Sequence, residues 1–66
     1  MKYYLISTNL EKGTSKIEGS FQNLTQAKKH LKDISNSLKN ELNPIMRKQN
    51  KELQTNKLIY QIYKLA

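Results

Sequence analysis

The segment NLTQAKKHLKDISNSLKNEL, residues 23–42, carries the strongest periodic pattern in the chain. Apolar side chains recur in it every three or four residues, which aligns them along one stripe of an α-helix. Asn23 is a favourable N-cap, and a glutamine three residues later is a weak capping-box partner. Asn43-Pro44 ends the pattern, because a residue before proline is disfavoured in helical conformation. The segment therefore predicts a helix over residues 24–41.

Two segments before this helix are typical of a β-hairpin. Residues 2–10 are rich in aromatic and β-branched side chains and contain neither glycine nor proline. Residues 15–22 alternate, which places Ile17, Gly19 and Phe21 on one face of a half-buried strand. The intervening residues EKGT form the expected turn, since glycine tolerates positive φ there.

The C-terminal third of the chain is less regular. Residues 45–56 are polar, and they leave a short helix and a mobile loop both open; we favour the helix. Residues 58–65 fit a helix or a strand, but their isoleucines and tyrosines, and the Thr55-Asn56 turn before them, favour a strand. We expect this last strand to pair beside residues 2–10.

These elements assemble into a single small α+β domain that covers residues 1–66. We expect a three-stranded antiparallel sheet with one amphipathic helix packed on one face, in the order β-β-α-(α)-β. The expected core consists of Leu5 or Ile6, Ile17, Phe21, Leu24, Ala27, Leu31, Ile34, Leu38 and the inward residues of 58–65.

Length and composition exclude several classes of protein. A chain of 66 residues is too short for a multidomain enzyme or a Rossmann-type nucleotide fold, and the absence of cysteine excludes a disulfide scaffold. His30 is the single histidine, the five acids are scattered, and the two glycines form no phosphate-binding motif. We therefore expect no catalytic residue, no metal site, no cofactor and no small-molecule substrate.

The composition also suggests an origin and a location. Eleven lysines stand against one arginine, with seven asparagines and two alanines, which is the bias that AT-rich codons produce. We infer a low-GC bacterium, or one of its phages or mobile elements, as the source. No apolar run approaches the length of a membrane span or a signal peptide, so we expect a cytoplasmic protein without a membrane partner.

The formal net charge of +7 has an ordinary interpretation and a functional one. Excess lysine keeps a small protein soluble, and a lysine stripe on a helix is usually a solvated face. The same charge is also the signature of a polyanion partner. The basic candidates for a polyanion or partner surface are Lys28, Lys32 and Lys39 on one helix face, and Arg47, Lys48 and Lys51 in the following segment.

Both segments predicted to pair in the sheet, 2–10 and 58–65, carry apolar residues on both faces, although a helix can cover only one. Residues 45–56 could fold over the second face, the face could bind another protein, or its tyrosines could stack on bases. The tyrosines that are candidates for such an interface are Tyr3, Tyr4, Tyr60 and Tyr63.

Three functional hypotheses follow, in order of preference. The first is a non-enzymatic binding protein from a phage or mobile element that docks on a host protein or nucleoprotein complex and inhibits or modulates it. The second is a non-specific binder of single-stranded DNA or RNA, with lysines on phosphates and tyrosines on bases. The third is an RNA-cleaving toxin, which would need His30 or a tyrosine–lysine pair for acid–base chemistry.

Overall fold

A computed structural model describes residues 2–65 and shows one helix packed on an antiparallel sheet. The strands of this part of the chain follow the order β2-β1-β5-β4-β3 in a single five-stranded sheet. The α+β class, the antiparallel sheet and the amphipathic helix agree with the prediction, whereas the predicted number of strands was too small and the second helix favoured for residues 45–56 is absent from the described residues. The elements are β1 (Lys2–Asn9), β2 (Thr14–Phe21), α1 (Leu24–Leu38), β3 (Ile45–Arg47), β4 (Glu52–Gln54) and β5 (Leu58–Leu65).

The centre of the sheet is the pairing of β1 with β5. The two strands are antiparallel and in register over their whole length, from Lys2 opposite Leu65 to Asn9 opposite Leu58. This confirms that the last segment is a strand and that it lies beside the first. β1 is flanked by β2 and β5, whereas on its other edge β5 is paired with β4 over Ile59–Gln61.

The helix α1 begins where the sequence predicts and ends three residues early. The Asn23 side-chain oxygen accepts a hydrogen bond of 2.9 Å from the backbone N–H of Gln26, which confirms the N-cap. At the other end, the N–H groups of Glu41 and Leu42 both donate to the carbonyl of Leu38, so the chain leaves the helix in a turn. Among the described residues, no helix is long and apolar enough to cross a membrane.

Residues 45–56 form neither the helix nor the loop that the sequence left open. They form the hairpin β3–β4, and β4 pairs with β5. Met46 and Leu53 lie opposite each other and point towards the core. Because each strand has three residues, the segment shows no periodicity, and its hairpin depends on the free edge of β5 that it extends.

The core lies between α1 and one face of the sheet. Leu5, Ala27, Leu31 and Leu53 are fully buried, and Tyr60 is nearly so. The predicted helical stripe therefore does face the sheet, but the sequence analysis did not anticipate Leu53. The partly buried residues packed against this core are Phe21, Ile34, Leu38, Met46, Leu58 and Ile62.

One predicted core residue, Ile17, lies on the opposite face and is 64% exposed. The pairing of β1 with β2 is irregular: Leu5 is opposite Gly19, and the next residue of β1, Ile6, is opposite Ile17. Glu18 is the extra residue of a β-bulge, and a bulge reverses the face on which the preceding residues of its strand lie. Ile17 therefore shares a face with Ile6 rather than with Phe21.

Candidate functional site

The sheet has one face covered by α1 and one that the described chain leaves uncovered, here called the open face. Directly opposed residues of antiparallel strands point to the same side, and successive residues of a strand point to opposite sides. Leu5 of β1 and Tyr60 of β5 are buried beneath α1. The residues that precede and follow each of them in its strand therefore point to the open face. A cluster of apolar residues lies on the open face towards the end of β5: Tyr4, Ile6, Ile17, Tyr63 and Leu65.

These five side chains surround a shallow depression of about 470 Å³, with Lys64 at its border. Tyr4 lies directly opposite Tyr63, and Ile6 directly opposite Ile17, so the patch spans β2, β1 and β5. Three of its side chains are largely exposed: Ile17 by 64%, Tyr63 by 46% and Leu65 by 57%. A contiguous apolar patch on a small, polar protein usually marks an interaction surface.

The chain's own hairpin does not cover this patch. The hairpin β3–β4 continues the sheet sideways from β5, and its residue Ile45 is itself 53% exposed. The hypothesis that residues 45–56 fold over the second face is therefore wrong. Within the described residues, the surplus of apolar side chains on β1 and β5 is a surface feature rather than additional core.

A hydrogen-bonded row of polar side chains borders the apolar centre. The Tyr63 hydroxyl donates to Oε1 of Gln61 at 2.6 Å, and Nε2 of Gln61 donates to Oε1 of Glu52 at 2.8 Å. The same oxygen of Glu52 lies 3.4 Å from Nζ of Lys48. The hydrogen bond from Gln61, followed by the positive charges of Lys48 and Arg47, lowers the pKa of Glu52 against the opposing effect of its burial. This row fixes the orientation of the Tyr63 ring.

The four candidate tyrosines divide between the two faces. Tyr4 and Tyr63 lie on the open face, as described above. Tyr60 is only 9% exposed beneath α1, where burial, and to a lesser extent the charge of Glu18, raises the pKa of its hydroxyl. Tyr3 also points to the helix side, where it lines a small depression with Leu24. Two of the four tyrosines therefore lie on the open face.

The six candidate basic residues do not form one patch. Lys28 and Lys32 line a groove of about 420 Å³ between α1 and the β3–β4 hairpin. Lys39 is the C-cap of α1, outside that groove. The remaining three residues, Arg47, Lys48 and Lys51, belong to the hairpin strand and its turn.

We call the groove between α1 and the hairpin the lysine groove. It is lined by Lys28, Lys29 and Lys32 from the helix, and by Met46 and Asn50 from the hairpin. Lys28 is half-buried, whereas the other two lysines are exposed. The ion pairs of the described residues are Lys16–Glu18 and Lys48–Glu52, and neither includes a lysine of the groove.

Other groups with possible chemistry have structural surroundings. His30 is exposed on α1, and its ring lies against Phe21 with the centroids 5.3 Å apart. The buried Ser7 hydroxyl donates to Glu18 at 2.7 Å, and Lys16 lies 3.5 Å from the same carboxylate. Within residues 2–65, no three histidine, aspartate or glutamate side chains are close enough to hold a metal ion.

Ile6, Ile17 and Leu65 were not among the predicted interface residues, which were all tyrosines. A signal for Ile17 was present: glycine inside a strand pattern, here Gly19, often marks a bulge. No protein-family model matches the chain, and no curated protein or solved structure is significantly similar to it.

Proposed function

We propose that the chain is a small, non-enzymatic binding protein that docks on a partner protein through its open face. The observation that carries the proposal is the exposed apolar patch around the opposed pair Tyr4 and Tyr63. Apolar and aromatic side chains at the centre of a surface, bordered by polar groups, are the usual composition of a protein interface. Tyrosine is among the residue types that contribute most to binding energy in such interfaces.

The dimensions of the molecule suit this role. The described chain extends over 33 × 23 × 17 Å along its principal axes. A standard protein interface buries about 800 Å² on each partner, which is comparable to the broad face of this molecule. The open face is thus large enough for one specific contact, and a second surface is not needed for affinity.

The positions of the helical lysines do not support base stacking at the open face. Stacking of bases needs positive charge beside the aromatic rings to hold the phosphates. Here Lys28 and Lys32 lie on the helix side of the sheet, away from Tyr4 and Tyr63. The single-stranded nucleic-acid hypothesis combined these residues in one surface, and that combination loses its geometric support.

The charge around the open face also indicates the charge expected of the partner. Two basic residues border the open face, Lys2 at the end of β1 and Arg47 on β3. A partner surface with an apolar centre and acidic residues around it complements this pattern. A second copy of the chain does not, because two molecules that each carry +7 repel one another.

The amino-acid composition supports a host-cell protein as the partner. A lysine- and asparagine-rich chain of 66 residues is consistent with a phage or mobile-element product in a low-GC bacterium. Docking through one apolar face, without a catalytic site, would then inhibit or modulate the host protein by occupying its surface. The cytoplasm is the corresponding location.

Site-specific photo-crosslinking tests the proposal. A photoreactive amino acid is placed at Ile17 on the open face and, as a matched control, at the exposed Ser37 of α1. Both proteins are irradiated in lysate of a low-GC bacterium and the products are identified by mass spectrometry. We expect Ile17 to yield one dominant acidic protein that Ser37 does not, and we expect the Tyr63→Thr substitution to abolish that product.

The captured protein is then purified and mixed with the wild-type chain, because crosslinking alone does not establish binding. A stoichiometric complex whose affinity changes little with salt supports docking through an apolar face. Identical products from Ile17 and Ser37 would contradict the proposal, as would crosslinks mainly to nucleic acid or to a second copy of the chain.

A further inference from the structure

The lysine groove lies on the helix side of the sheet and is not used by the proposed docking surface. Lys28 and Lys32 are one helical turn apart on α1, and Lys29 is next to the first of them. Positive charges at this spacing repel one another and do not stabilise a helix. Their concentration in a groove therefore needs an explanation other than stability.

The groove holds no compensating negative charge within the part of the chain that the structure describes. Its lining contains neither aspartate nor glutamate. Within residues 2–65, the ion pairs are made by other lysines, Lys16 and Lys48. Lys28 is half-buried and is thus partly shielded from water, which strengthens its attraction for an anion.

The other polar groups of the lining are suited to the same ligand. Hydroxyl groups of Thr25 and Ser35 and amide groups of Asn36 and Asn50 can each donate a hydrogen bond. Phosphate oxygens accept such bonds, and contacts of this kind are the commonest that proteins make with nucleic acids. Met46, the apolar residue of the groove, offers no flat ring on which a base could stack.

The turn between β3 and β4 keeps Asn50 at the groove. Lys48, Gln49 and Asn50 adopt φ values of 52°, 56° and 71° in succession, a left-handed conformation that non-glycine residues rarely adopt. Strained backbone of this kind persists only where the surrounding structure holds it, and it is enriched at ligand sites. This turn places Asn50 in the lining of the groove, together with Met46 of β3.

We propose that the lysine groove binds the phosphate backbone of a nucleic acid without regard to sequence. Lysine contacts phosphate as a point charge, and the groove lacks the arginine that would supply bidentate base recognition. Because the groove and the open face lie on opposite sides of the sheet, a nucleic acid and a protein can be bound at the same time. The natural target would then be a nucleoprotein complex.

Fluorescence anisotropy with a labelled single-stranded oligonucleotide, a duplex of the same sequence and an RNA, at about 50 and 200 mM salt, tests the proposal. The groove variant is Lys28→Gln/Lys29→Gln/Lys32→Gln. The matched control, Lys12→Gln/Lys39→Gln/Lys57→Gln, removes the same charge at exposed positions outside the groove. Circular dichroism checks that both variants remain folded.

We expect the groove variant to lose at least ten times more affinity than the control. On a single strand, the log–log salt slope should fall by about 2 in the groove variant, since each neutralised phosphate contributes about 0.7. The control should change the slope much less. An Ile17→Thr/Tyr63→Thr variant should bind the oligonucleotide like the wild type, which separates this proposal from the docking proposed for the open face.

Three results would overturn the proposal. Equal losses in the groove variant and the control would mean that net charge alone attracts the nucleic acid. Absence of binding at the lower salt concentration would remove the nucleic acid altogether. In the third, pyrophosphate at matched ionic strength would displace a short and a long oligonucleotide at the same concentration. That result would assign the groove to a small phosphorylated compound instead.

Discussion

The two faces of the sheet carry similar apolar residues, but those of the inner face are buried and those of the open face are not covered by the described chain. On the inner face, Leu5 is fully buried and Tyr60 nearly so beneath α1. On the open face, the neighbouring positions Ile6 and Tyr63 lie in a patch that the described chain does not cover. Full burial of an apolar side chain contributes about 1.5–3 kcal/mol to the free energy of folding. Only the side chains of the inner face make this full contribution.

This difference separates the residues that hold the fold from those available to a partner. The open face contributes little to the stability of the isolated chain, yet it exposes apolar surface that lowers solubility. A surface with that combination of properties is expected where another molecule covers it. Substitutions on the two faces should therefore have opposite consequences for stability and for binding.

The largest effect is expected at Leu53, the fully buried residue of the β3–β4 hairpin. Leu53→Ala should lower the free energy of unfolding by about 2–5 kcal/mol, because it removes buried methyl groups and leaves a cavity. A domain of this size has about 3–10 kcal/mol in total, so much of the population should unfold. Urea denaturation followed by circular dichroism measures the change.

The matched control is Ile45→Ala on β3, whose side chain is 53% exposed on the other face of the same hairpin. It should change the free energy of unfolding by about 0.5 kcal/mol or less. Equal effects of the two substitutions would mean that the hairpin does not distinguish an inner from an open side.

A smaller effect is expected from the polar row beside the patch. The pKa of Glu52 is lowered chiefly by the hydrogen bond from Gln61. A lowered pKa contributes stability that is present above the unfolded value, near 4.3, and is lost as the pH falls through the folded value. Glu52→Gln should therefore flatten the loss of stability below about pH 4.5, and should cost about 0.5 kcal/mol or less at pH 7.

Urea midpoints between pH 7 and pH 3 compare the wild type with the Glu52→Gln variant. Parallel profiles for the two proteins would show that Glu52 does not contribute to the acid sensitivity. Glu41→Gln serves as the control, because Glu41 is exposed and lies outside both described ion pairs.

The regular parts of the fold were predictable because they depend on local patterns. The helix of residues 24–38 follows from apolar spacing and from the Asn23 cap. The strands β1, β2 and β5 follow from their aromatic and β-branched residues, and the antiparallel pairing of β1 with β5 was the economical arrangement. Each of these features involves many residues that favour the same structure.

The exposed position of Ile17 was not predicted, because alternation assumes a strand without irregularity. One extra residue, Glu18, moves Ile17 from the core to the open face. The hairpin β3–β4 was not predicted for a different reason. Its three-residue strands are stabilised by pairing with β5 and by burial of Leu53, and both are long-range contacts that a local pattern does not reveal.

The residue types of the candidate sites could be predicted from the sequence, but the face or groove that each side chain occupies could not. The surplus of tyrosine on β1 and β5 indicated an uncovered face, yet which tyrosines would point outward depended on the location of the helix. The candidate lysines were likewise separated, since Lys28 and Lys32 line the groove while Lys48 pairs with Glu52. Side-chain direction relative to the rest of the fold decides these assignments.

The most direct test of the open face compares stability and binding in one variant, Ile17→Thr/Tyr63→Thr. Threonine retains a preference for strands, so the free energy of unfolding should change by about 0.5 kcal/mol or less. Affinity for the purified, crosslinked partner, measured by isothermal titration calorimetry, should fall at least tenfold. Unchanged affinity for that partner, or unfolding of the variant, would contradict the assignment of the open face as a docking surface.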